Sequence, residues 1–125
     1  MTKTQQMQHL VNILQKELPL PSTEVTFHNK DYFSKHTLGD FVLGHSKARA
    51  THYPATNQVH ISMCTRGTQV SDLAYTLLHE WGHASQWQNP EHQWEFEPAS
   101  EALIEFDAYA YADRHLHIFK EALCN

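Results

Sequence analysis

The run His79-Glu80-Trp81-Gly82-His83 constrains this chain more than any other five residues, because two histidines four apart carry a glutamate beside the first. On an α-helix, positions four apart lie on one face about 6 Å apart along the axis, so both imidazoles can reach a single ion. Glu80 is turned roughly 100° around the helix from His79, away from the ion but within reach of a water next to it. The run therefore asks for a helix that carries two ligands of a tetrahedral zinc site and a carboxylate placed as general base. Eleven histidines in 125 residues make chance pairs of this kind more frequent, so the flanking sequence has to supply the rest of a site.

The flanks do so. Thr68 or Ser71 can cap a helix that runs to about Gln88, and Asn89-Pro90 stops it. On that helix Leu73, Leu77, Leu78, Trp81 and Ala84 provide apolar contacts, and Gly82 allows another backbone to approach. A polar loop, Glu91 to Glu97, leads to Pro98 at the first turn of a long helix that reaches about Leu123. A catalytic zinc needs a third protein ligand and one open position. Candidates are Glu101, Glu105 and Asp107 on the helix, and His92, Glu95 and Glu97 in the loop.

His79-Glu80-x-x-His83 followed some twenty residues later by a helical glutamate resembles the gluzincin clan of zinc metallopeptidases. The run Glu105-Phe106-Asp107-Ala108-Tyr109-Ala110-Tyr111-Ala112 resembles the Glu-x-x-Ala-x-x-x-Ala helix of small ImmA/IrrE-like and minimal gluzincins. The resemblance covers roughly residues 58 to 115. It implies Glu105 as third zinc ligand, with Ala108 and Ala112 letting the two helices pack closely. A thermolysin-like arrangement would instead put Glu101 on zinc and Glu105 behind a ligand. The ImmA/IrrE-like group has Asn or Asp where Tyr109 stands, and metzincins have Gly and His where Gln86 and Asn89 stand. The mechanism implied is peptide hydrolysis by a zinc-bound water, with Glu80 as general base and later proton donor to the leaving amine. Tyr109, Tyr111, Arg114 and His115 are available to steady the oxyanion.

The remaining chain reads as support. Met7, Leu10, Val11, Leu14 and Leu18 recur at helical steps between Thr4 and Leu18, predicting an amphipathic helix that backs the sheet and ends at Pro19 and Pro21. Val25 to His28 and part of Phe41 to Tyr53 read as strands. After the turn Pro54-Ala55-Thr56-Asn57, Gln58 to Met63 alternates with Val59, Ile61 and Met63 inward; as an edge strand it could take up an extended peptide. The expected fold is α+β and zincin-like: an N-terminal backing helix, a small mixed or antiparallel sheet, the His-Glu helix and a long C-terminal glutamate helix. Residues 1–125 fit one metallopeptidase domain.

A formal charge of −5 disfavours nucleic acid as a partner. Nothing resembling a signal peptide or an eighteen-residue apolar run is present, so the expectation is a cytoplasmic protein without membrane contact. Cys64 and Cys124 are expected as free thiols. The nine histidines outside the motif form no second metal-spaced pair on a helix and are expected to be solvated or hydrogen-bonded. The leading expectation is a zinc metallopeptidase with one Zn2+ held by His79, His83 and Glu105 and a peptide or protein substrate. The alternatives are a non-catalytic zinc domain that binds a partner protein in a phage, plasmid or regulatory setting, and a DNA-associated protein of the antirestriction or SprT-like kind.

Overall fold

A computed structural model describes residues 2–28, 50–53, 55–63, 69–88 and 100–124, with the side chains of Ser100, Glu101, Glu121 and Cys124 outside the description. The described residues form four helices and a three-stranded mixed sheet, an α+β arrangement. In chain order these are α1 (Lys3–Glu17), β1 (Glu24–His28), β2 (Ala50–Tyr53), β3 (Gln58–Ser62), α2 (Val70–Gln88), α3 (Ser100–His115) and α4 (His117–Cys124).

Helix α1 opens with a reciprocal cap: Gln5 N–H donates to Thr2 Oγ1 at 3.1 Å, and Thr2 N–H donates to Gln5 Oε1 at 2.8 Å. Two amides that a helix start would leave unpaired are thereby satisfied. Met7, Leu10, Val11 and Leu14 are buried, the stripe expected from their spacing, and Leu18 forms the C-cap. The stripe packs chiefly on α2 and α4, and it shares one buried cluster with Ala50, Val59 and Ile61 of the sheet. Among the described residues α2 packs on both β2 and β3 and carries the larger share of the apolar cover over the sheet.

Strand β3 is the middle strand of the described sheet, parallel to β1 and antiparallel to β2. Its main-chain groups are thus engaged on both sides, which removes it as an acceptor of an added peptide strand. Val59 and Ile61 are fully buried as their alternation requires, and Ser62 on the other face is buried too. Asn57, with φ 52°, turns the chain between β2 and β3 in the left-handed region that asparagine tolerates. Asn57 Oδ1 also accepts from Thr23 Oγ1 and lies 3.0 Å from His52 Nε2, which ties the turn to both neighbouring strands.

Helix α2 is the hub, packed against β2, β3, α1, α3 and α4. It starts at Val70, one residue before Ser71, so Ser71 is not its cap; Thr68 lies outside the described residues. Leu73, Leu77, Leu78 and Trp81 are fully buried. Trp81 Nε1 donates to the Leu18 carbonyl at 2.9 Å, joining the hub to the end of α1. The expected single C-terminal helix is two helices divided at Leu116. His117 Nδ1 lies 2.9 Å from the Arg114 carbonyl at the break, and Phe119 beyond it is fully buried in the core. Residues 41–49 of the anticipated strand region, the loop Glu91 to Glu97, Pro98 and Cys64 lie outside the described residues.

Candidate metal centre

Helix α2 carries His79 and His83 on one face, as the four-residue step demands, and α3 crosses that face closely. Gly82 on α2 meets the side chain of Tyr111 on α3, and the small residues Ala84 on α2 and Ala108 and Ala112 on α3 are fully buried. The crossing delivers Glu105. Its Oε1 lies 2.7 Å from His83 Nε2 and its Oε2 lies 3.1 Å from His79 Nε2. The two Nε2 atoms are themselves 3.1 Å apart, so two imidazoles and one carboxylate converge on a single point.

Glu80 completes the cluster from the other side. His79, Glu80 and His83 each offer a donor atom, all within 4.8 Å of one another, a group that could hold a metal ion. Glu80 is buried, and the main-chain N–H of His52 on β2 donates to its carboxylate. The His79 and His83 side chains are 10% and 15% exposed against 45% for Glu105, so the centre opens to solvent on the α3 side. Mixed imidazole and carboxylate donors suit first-row divalent ions such as zinc.

The electrostatics follow from this packing. Burial pushes the Glu80 carboxyl up to about 8; the charge of Glu105 adds to that, while the charge of His83 and the His52 N–H oppose it. Burial pulls His83 down, but the Glu105 hydrogen bond, the charge of Glu80 and the contact with Gln86 together outweigh it and leave it raised. Hydrogen bonds from His79 and His83 hold Glu105 well below the usual carboxylate range. Positive charge at the His83 ring is therefore favoured by the carboxylates beside it, as a bound cation would be.

The other anticipated residues divide. Asp107 is not at the cluster; its Oδ2 accepts from Gln86 Nε2 at 2.7 Å. Glu101 lies on α3 with its side chain outside the description, and His92, Glu95 and Glu97 lie outside the described residues, so Glu105 is the anticipated helical carboxylate that meets the histidines. Tyr109 packs its ring against His79, centroids 4.1 Å apart, and is half exposed. Tyr111, by contrast, has Arg114 5.8 Å over its ring and the tilted ring of His115 4.5 Å from it. Burial pushes the Tyr111 hydroxyl up to about 12, as expected of a ring used for packing. Among the remaining histidines, His28 Nε2 lies 2.8 Å from His60 Nδ1 and His52 bonds Asn57.

Two further contributors escape a reading of the sequence alone. The His52 main-chain amide has no sequence signature, because every non-proline residue carries one. Gln86 does have one: it sits three residues after His83, on the same helix face, as a polar residue among buried ones. No helix among the described residues is long and apolar enough to cross a membrane. No protein-family model matches the chain, and no curated protein and no solved structure matches it either.

Proposed function

We infer that the chain is a zinc-dependent hydrolase of peptide bonds, with His79, His83 and Glu105 as zinc ligands and Glu80 as general base. The observation that carries this is the meeting of Glu105 with both Nε2 atoms, at 2.7 and 3.1 Å, next to a buried glutamate. Ligand atoms about 2.0–2.1 Å from a tetrahedral zinc stand roughly 3.3 Å from one another. The donor atoms stand 2.7–3.1 Å apart, about 0.2–0.6 Å short of that spacing, and an outward movement of that size would seat the ion. A bound zinc would supply Lewis acidity toward a carbonyl and a water made acidic near neutral pH.

The chain's own residues supply the rest. Glu80 keeps its proton until about pH 8 without a cation, so its carboxylate is a strong enough base to take a proton and, once protonated, to give it to a leaving amine. The His52 amide holds that carboxylate from the β2 side. Tyr109, its ring against that of His79 and half exposed, is the anticipated hydroxyl donor placed beside a ligand ring, available for charge developing on a substrate oxygen. The resemblance to gluzincins supports the same assignment of roles.

Glu80 also favours a second reading. Its burial beside both histidines would let it close the coordination sphere, giving a zinc-stabilised domain that binds a partner protein without hydrolysis. Mass-spectrometric mapping of cuts in a diverse peptide library, by zinc-loaded protein and by zinc-loaded Glu80→Gln, separates the two. Hydrolysis predicts cuts that vanish in Glu80→Gln while zinc is retained. Equal cutting by both proteins would overturn the role of Glu80, and no cutting by zinc-loaded protein would favour the interaction domain.

A further inference from the structure

The two imidazoles of the centre are anchored differently. His79 Nδ1 is buried with no hydrogen-bond partner among the described residues. His83 Nδ1 lies 2.9 Å from Gln86 Oε1. The Gln86 amide nitrogen in turn lies 2.9 Å from the Ile104 carbonyl and 2.7 Å from Asp107 Oδ2, both on α3. This network admits one orientation of the Gln86 amide. Only its NH2 end can face two oxygen acceptors, so its oxygen faces His83, and that oxygen accepts only if His83 carries a proton on Nδ1. The Nε2 atom, pointing at Glu105, is the one left to bind a metal.

We propose that Gln86 is a positioning residue of the metal centre, which fixes the tautomer and ring orientation of His83 and bolts its helix to the turn of α3 that carries Glu105. Ile104 and Glu105 are adjacent, and Asp107 follows within the same turn. One amide therefore sets both a ligand on α2 and the backbone from which the third ligand projects. With no such anchor at His79 among the described residues, Gln86 is the distal hydrogen bond that orients a ligand ring here. Distal partners of this kind tune affinity by holding the ligand in its binding geometry. Asp107, a carboxylate that sequence alone offers as a ligand, serves instead to orient the amide.

The inference rests on the metal reading, and the test keeps the two apart. Zinc affinity is measured by chelator competition for the parent chain, Gln86→Leu, Asp107→Ala and the double variant Gln86→Glu with Asp107→Asn. Exchange of the His83 Nδ1 proton is followed by NMR in the zinc-loaded proteins. Gln86→Leu should weaken zinc by about ten- to a hundredfold and expose the Nδ1 proton to fast exchange. The double variant reverses the donor and acceptor between positions 86 and 107 and keeps an acceptor for His83 but loses the donor to the Ile104 carbonyl. It should therefore recover part of the affinity and slow the Nδ1 exchange relative to Gln86→Leu. Asp107→Ala leaves Gln86 in place and should give a smaller loss in the same direction, which covers the case of a Gln86→Leu chain that does not fold. Parent-like affinity and parent-like Nδ1 exchange in Gln86→Leu would overturn this inference while leaving the metal reading standing. A parent chain that takes up no zinc would overturn both.

Discussion

Gly82 on α2 lies so close to Tyr111 on α3 that a β-carbon at Gly82 would stand 3.1 Å from Tyr111 Cδ1 and 3.2 Å from its Cβ and Cγ. The Tyr111 Cβ is fixed to the α3 backbone and cannot rotate away, so a methyl group there must push the two helices apart. Overpacking of this kind costs about 1–3 kcal/mol, against about 1 kcal/mol gained when alanine replaces glycine within a helix. Gly82→Ala is expected to lower the melting temperature. It should also weaken zinc binding, since the same crossing brings Glu105 to His79 and His83. Unchanged melting and unchanged zinc affinity would mean that the helix spacing has slack.

The metal-free protein should show the cost of burying Glu80. The unfolded chain releases this proton near its ordinary value of 4.5, whereas the fold keeps it until about 8. The folded state therefore holds more protons between those values and loses stability as pH rises through them. Glu80→Gln removes that loss. Metal-free Glu80→Gln should match its parent near pH 4.5 and exceed it by a few kcal/mol at pH 8, the gap widening by about 1.4 kcal/mol for each pH unit in between. Denaturant melts at the two pH values read the difference. An advantage independent of pH would rule out ionisation as its cause.

Trp81 joins α2, the helix of His79 and His83, to the end of α1 through its indole N–H and the Leu18 carbonyl, 2.9 Å apart. Trp81→Phe removes the donor and part of a fully buried ring. A loss of about 2–4 kcal/mol is expected from the two effects together. Zinc stoichiometry should remain that of the parent, because Trp81 lies between the ligands in sequence but faces the core. Calorimetry and metal analysis on one preparation would check both parts.

Much of this arrangement is legible in the sequence where periodicity carries it. Met7, Leu10, Val11 and Leu14 mark α1, and the step from His79 to His83 marks the ligand face of α2. Tertiary neighbours are another matter. The alternation of Val59 and Ile61 marks a strand yet cannot say whether it lies at the edge or the centre of its sheet. The stripe of α1 says that one face is covered without saying that α2 and α4 cover it. The break at Leu116 has no proline or glycine to announce it, and Phe119 just beyond it is fully buried. At the centre, Glu105 and Asp107 are both carboxylates of one helix, and only the crossing with α2 shows that the first meets the histidines and the second meets Gln86.

The central claim is that His79, His83 and Glu105 hold one zinc ion. Its most direct measurement is zinc content after exhaustive dialysis, by native mass spectrometry, for the parent chain and for His83→Ala and Glu105→Ala. One zinc per parent chain, with none retained by His83→Ala and a sharp loss in Glu105→Ala, is the expected result. A parent chain without zinc, or Glu105→Ala holding zinc as firmly as the parent, would contradict the claim.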